Sequence, residues 1–71
     1  MVPDGQTRAV KTLREWRAYR RLSKAEIAKV LGVHPSTYSR METRPADITV
    51  KEATILADVL TCEVGEINFF D

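Results

Sequence analysis

The chemistry open to this chain is concentrated between Ser23 and Glu42, in the stretch SKAEIAKVLGVHPSTYSRME. Ser36, Arg40 and Thr43 recur at intervals of four and three, so on a helix they share one side, with Ser39 on the flank. Short hydroxyl side chains let a helix approach a partner closely. An arginine among them can donate two parallel hydrogen bonds to guanine O6 and N7 in the major groove of DNA. At the other end of the stretch, Ser23, Lys24 and Ala25 open a separate helical segment. Free backbone N–H groups, the helix dipole and the lysine ammonium would together suit a phosphate there. These are the groups of nucleic-acid recognition, although the same spacing also fits a two-helix corner with a merely solvated polar face.

Reaction chemistry has much less to work with. His34 and Cys62, the one histidine and the one cysteine, stand 28 positions apart in sequence and in different predicted helices. They form no evident nucleophile and base, and no glycine-rich phosphate loop accompanies them. One histidine and one cysteine do not assemble a metal site. No enzymatic activity, cofactor or metal is expected. His34 stands where a helix cap belongs, so its role is to cap the following helix or to touch a phosphate. Cys62, just past a predicted helix, behaves as a small hydrophobe.

Sharp start and stop signals place these residues on helices. Thr12 to Glu15, Ser23 to Glu26 and Thr49 to Glu52 are three capping boxes, in which hydroxyl and carboxylate satisfy each other's backbone N–H groups. The first helix runs to about Arg20, with Leu13, Trp16 and Arg17 inward, Ala18 and Tyr19 at the margins, and Arg14 and Arg21 toward solvent. The second carries Ile27, Ala28 and Leu31 inward and stops at Gly32, which tolerates the left-handed conformation that ends a helix. Only Val33 and His34 separate that glycine from Pro35, which is preorganised to begin the next helix, where Tyr38 and Met41 face inward with Glu42 beside them. Residues 43 to 48 read as a loop. A fourth helix to about Thr61 buries Val50, Ala53, Leu56, Ala57 and Leu60, and a short last helix over residues 63 to 68 turns Val64 and Ile67 inward. Phe69 and Phe70 close the chain, one expected to cover the core and the other to meet a partner.

Seventy-one residues with 44% hydrophobic and 30% charged side chains make one modest core. Residues 1 to 11, with Pro3, Gly5, Arg8 and Lys11, read as a flexible basic arm, helical at most toward its end, and residues 12 to 71 as the domain. With no apolar run long enough to span a bilayer and no secretory h-region, a cytoplasmic location and no membrane association are expected. The net charge of +1 conceals a division: residues 1 to 41 hold nine basic and three acidic groups, and residues 42 to 71 hold two and seven. Such a division fits one face that attracts polyanions, and equally two halves of merely solvated surface.

Leu22 to Glu42 resembles the helix-turn-helix of the phage Cro and CI repressor-like (XRE) family, and the resemblance extends over roughly residues 12 to 68. Ala28 matches the alanine that packs under the second helix and Gly32 the glycine of the turn, while Ile27, Leu31, Val33, Tyr38 and Met41 match the inward apolar positions. The resemblance implies an all-α, lambda repressor-like bundle of about five short helices. Such a domain binds double-stranded operator DNA, usually as a homodimer, with the recognition helix at about residues 35 to 42 in the major groove. It further implies an ion pair between Arg17 and Glu42. Base contacts would come from Arg40, Ser36, Ser39 and Pro35, and phosphate contacts from Lys24, Ser23, His34, Arg44 and Thr43. The sequence departs from the family in having His34 for a hydroxyl cap, Pro35 for a polar base reader and Arg44 for a glycine. A transcriptional regulator is the leading expectation. The alternatives are an antirepressor or modulator acting on another regulator through its acidic second half and Phe69 and Phe70, or the antitoxin of a toxin–antitoxin pair.

Overall fold

The computed structural model describes residues 10 to 70, so the arm proposed for residues 1 to 9, with Arg8, and the final Asp71 lie outside the described residues. Among the described residues there are four α-helices: α1 (Leu13–Arg20), α2 (Lys24–Leu31), α3 (Pro35–Thr43) and α4 (Val50–Leu60). Two 3-10 turns, Pro45–Asp47 and Val64–Glu66, complete the fold. This is the all-α bundle expected, with a 3-10 turn in place of the fifth helix.

All three capping boxes form, with Thr12, Ser23 and Thr49 each accepting from the backbone N–H three residues on and receiving the glutamate in return. Each box fixes where a helix begins, and so which face it turns inward. Leu13, Trp16, Ile27, Ala28, Tyr38, Met41, Leu56, Ala57, Leu60 and Ile67 make one core. Leu22, Leu31, Val33, Ile48 and Phe69 pack against it, only partly buried. Gly32 ends α2 at φ 75°, and its N–H and that of Val33 return to carbonyls of α2. That leaves two residues before α3 begins.

The structure corrects several expectations. Val50 lies at the very start of α4 and is 85% exposed, because the first turn projects beyond the layer that covers Ala53 and Leu56. Val64 is likewise exposed: a turn of three residues offers no continuous apolar stripe, and only Ile67 after it is buried. The loop after α3 is itself a 3-10 turn, with Pro45 buried.

Lys11 belongs to the domain rather than to a free arm. It pairs in parallel with Ile67, its N–H donating to the Glu66 carbonyl at 3.1 Å and its carbonyl accepting from Asn68 N–H at 2.8 Å. Trp16 reinforces the same junction by donating from Nε1 to the Glu66 carbonyl at 2.8 Å. A buried indole finds its partner in this way, and truncating one costs about 3–5 kcal/mol.

Candidate nucleic-acid interface

α2 and α3 with their caps hold every residue singled out for DNA contact: Ser23 and His34 stand just before the two helices and Arg44 just after α3. At the start of α2, Ser23 Oγ accepts from Glu26 N–H at 3.0 Å and Ser23 N–H donates to Glu26 Oε1 at 2.7 Å. The Ser23 N–H, read from the sequence as available to a phosphate, is therefore occupied. Those of Lys24 and Ala25 make no hydrogen bond among the described residues. The Ser23 hydrogen bonds hold the Glu26 carboxyl below the usual carboxylate range, so a negative charge shares this helix end with the exposed Lys24.

His34 caps α3. Its Nδ1 accepts from Ser36 N–H at 3.1 Å and lies 2.9 Å from Ser36 Oγ. An Nδ1 that accepts puts the proton of the neutral ring on Nε2, leaving that nitrogen as an outward donor. Pro35 occupies the first helical position, where its missing N–H costs nothing. Along the outward face, Ser36, Arg40 and Thr43 are exposed and Ser39 is half-buried. Thr43 donates from its hydroxyl to the Arg40 carbonyl at 2.9 Å, and the Ser36 hydroxyl is engaged with His34, so both are partly committed within the helix. Arg40 differs. Its guanidinium makes no hydrogen bond or ion pair among the described residues, and Ser36, Ser39 and Thr43 beside it on the helix are short.

Arg40 and Arg44 border a hollow of about 140 Å³ shared with Thr37, Asp47 and Glu52. Thr37, three residues before Arg40 and half-buried, is the residue of this face that sequence reasoning passed over. Its only signal was that spacing. Arg44 caps α3 with φ −130°, ordinary backbone that needs no glycine.

Behind this face, Arg17 of α1 donates from Nε to Glu42 Oε2 at 2.7 Å, and the bond raises the guanidinium pKa. The wholly buried Tyr38 hydroxyl has no hydrogen bond of ordinary geometry among the described residues. Burial, with the Glu42 carboxylate nearby, pushes its phenol far above the usual range. The core thus fixes α3 from below: Tyr38 and Met41 by packing, Glu42 by charge.

The profile of the helix-turn-helix family matches residues 13–67, running from the start of α1 to the buried Ile67. The chain belongs to the helix-turn-helix family, in its Cro and CI (XRE) form. Comparison with curated proteins and with solved structures gives no match. As a helix-turn-helix domain it is a DNA-binding module, with α2 and α3 as the two helices of the motif. No helix among the described residues is long and apolar enough to cross a membrane.

Proposed function

We propose that this helix-turn-helix protein is a sequence-specific transcriptional regulator of repressor or Cro-like type, of bacterial, phage or prophage origin. It lays α3 in the major groove of a two-fold operator and binds there as a homodimer. The observation that carries this reading is Arg40: exposed, without a side-chain partner among the described residues and flanked along α3 by Ser36, Ser39 and Thr43. A guanidinium so placed can reach a guanine edge without displacing any bond of its own.

Around it, Pro35, Ser36 and Ser39 allow close approach, with Ser36 and Ser39 offering hydroxyls to the bases. Lys24 with the free N–H groups of α2, Ser23, His34 through Nε2, Arg44 and Thr43 would hold the flanking phosphates and fix the helix in register. Because Ser36 and Thr43 are partly committed within the helix, direct readout rests mainly on Arg40.

The test is selection from random-sequence duplex DNA, followed by binding to the enriched site at several salt concentrations. Enrichment of a two-fold site with a guanine in each half, and affinity falling by orders of magnitude between about 50 and 200 mM salt, is the expected result. Enrichment of no site would sink the regulator reading and favour a modulator acting through protein contacts.

A further inference from the structure

One patch of α1 is built from rings and cations. Tyr19, 60% exposed, sets its ring edge-on to the buried Trp16, with centroids 5.8 Å apart and planes at 81°. Lys11 Nζ lies over both rings, 4.7 Å from the Trp16 centroid and 4.6 Å from that of Tyr19, and the Arg20 guanidinium lies 5.2 and 5.0 Å from the same two. Val10, exposed as well, adjoins Lys11 in the chain. The members are fixed from behind. Arg20 donates from Nε to the Leu60 carbonyl at 2.7 Å and from Nη2 to the Thr61 carbonyl at 3.1 Å, at the end of α4. Trp16 is held by its bond to the Glu66 carbonyl, and the Lys11 backbone by its bridge to Ile67. Neither cation bonds a carboxylate among the described residues, and there the Lys11 ammonium has the two rings alone for partners.

We infer that this patch receives an acidic segment of another protein, an aspartate or glutamate side chain meeting Lys11 and Arg20 while apolar neighbours in the segment lie on Tyr19 and Val10. Two like charges over one pair of rings repel each other, and a carboxylate brought between them relieves that repulsion. Tyrosine, tryptophan and arginine are the residue types that anchor protein interfaces, and a set already fixed loses little freedom on binding. A nucleic acid is the poorer fit. Stacking of bases needs open ring faces, whereas Trp16 is 4% exposed and the cations lie over the faces of both rings. The patch also looks away from α3. Tyr19 stands two residues from Arg17, the residue tied to Glu42, and side chains at that spacing do not share a side of a helix. A protein bound there leaves α2 and α3 free, so the inference goes beyond DNA binding and does not depend on it.

The experiment is selection from a random-peptide display library on the full chain, followed by titration of an enriched peptide against the parent, Tyr19→Ser and Lys11→Glu, with thermal melts of each to confirm the fold. Enriched peptides are expected to carry aspartate or glutamate beside apolar residues, and both variants to bind them roughly tenfold or more weakly than the parent. Lys11→Glu should in turn prefer the same peptide with its acidic residue replaced by lysine, an exchange that a lysine serving only to brace the rings would not produce. No enrichment of acidic peptides, variants that bind as well as the parent, or no recovery on charge exchange would each overturn the proposal. So would a single-stranded oligonucleotide that binds the parent, is lost with Tyr19→Ser and displaces the peptide. Duplex DNA binding is measured on the same three proteins with and without peptide and should be alike throughout, so failure of the DNA reading shows itself separately.

Discussion

Arg17 and Glu42, 25 residues apart in sequence, meet at 2.7 Å with side chains only 19% and 7% exposed, tying α1 to the last turn of α3. At that burial the pair is no ordinary surface salt bridge. Glu42 would be left nearly buried and unpaired without Arg17, beside a tyrosine hydroxyl that has no well-formed bond among the described residues. Arg17→Ala should therefore cost about 2–4 kcal/mol in urea unfolding, whereas Arg17→Met with Glu42→Leu together should recover most of the loss. A single-variant cost below about 1 kcal/mol would mean that solvent screens the pair after all.

Arg40 and Lys24 should separate reading from holding. Arg40→Ala is expected to cost on the order of 1–3 kcal/mol on a selected site and to relax preference at one base pair. Lys24→Ala should weaken all sequences alike and reduce the salt dependence by about one counterion. Fluorescence anisotropy on the selected site and its point variants measures both. Equal selectivity in the parent and Arg40→Ala would move base reading elsewhere.

The His34 cap divides stability from binding. His34→Ala should cost about 1 kcal/mol by freeing the Ser36 N–H, and His34→Asp should keep the cap. The aspartate variant would nonetheless bind DNA more weakly, because it replaces an outward imidazole N–H with a carboxylate. Thermal melts and anisotropy on the same samples decide the matter: an aspartate variant that binds as well as the parent removes His34 from the interface.

Glu26 should make the start of α2 sensitive to acid. Its folded pKa is depressed, so the stability it contributes is present above the usual carboxylate range and is lost as pH falls through the folded value. Glu26→Gln should therefore be less stable than the parent at pH 7, with the two melting curves converging as pH falls below the usual carboxylate range. It should also bind DNA more tightly at neutral pH, by removing a negative charge beside Lys24. A stability gap independent of pH would show that the ionised carboxylate is not what the cap uses.

Two non-glycine residues, Arg21 at φ 58° and Thr61 at φ 56°, end helices in the left-handed conformation. L-residues pay roughly 1 kcal/mol or more there, and a β-branched one most. Thr61→Gly should raise stability by about 0.5–1 kcal/mol in denaturant titrations, while Thr61→Ala should gain little. Arg21→Gly should stabilise similarly.

Local signals in the sequence were read accurately because they act over three or four residues. The three hydroxyl and glutamate pairs, Gly32 and Pro35 each determine a helix end through contacts within their own turn. The inward placement of Trp16, Tyr38 and Met41 followed from periodicity alone. Periodicity misplaced Val50 and Val64, since a 3.6-residue stripe says which side faces in but not how far the neighbouring layer reaches. The roles of Ser36 and Thr43 were only half visible. Both lie on the outward face, yet the bonds that occupy them, to His34 Nδ1 and to the Arg40 carbonyl, depend on side-chain rotamers. The pairing of Lys11 with Ile67 could not be anticipated, because one bridge across most of the chain leaves no local trace.

That bridge bears on how the protein folds. The α2 and α3 corner joins neighbours in sequence and closes over short loops, whereas Trp16 reaches a carbonyl 50 residues away. Contacts so distant along a chain carry the larger loop-closure entropy and are made late. The corner of α2 and α3 is therefore expected to take shape first and the Lys11 and Ile67 latch last. Amide exchange should show the Lys11 and Asn68 protons released through the earliest opening, with those of Tyr38 and Leu56 held until the whole domain unfolds.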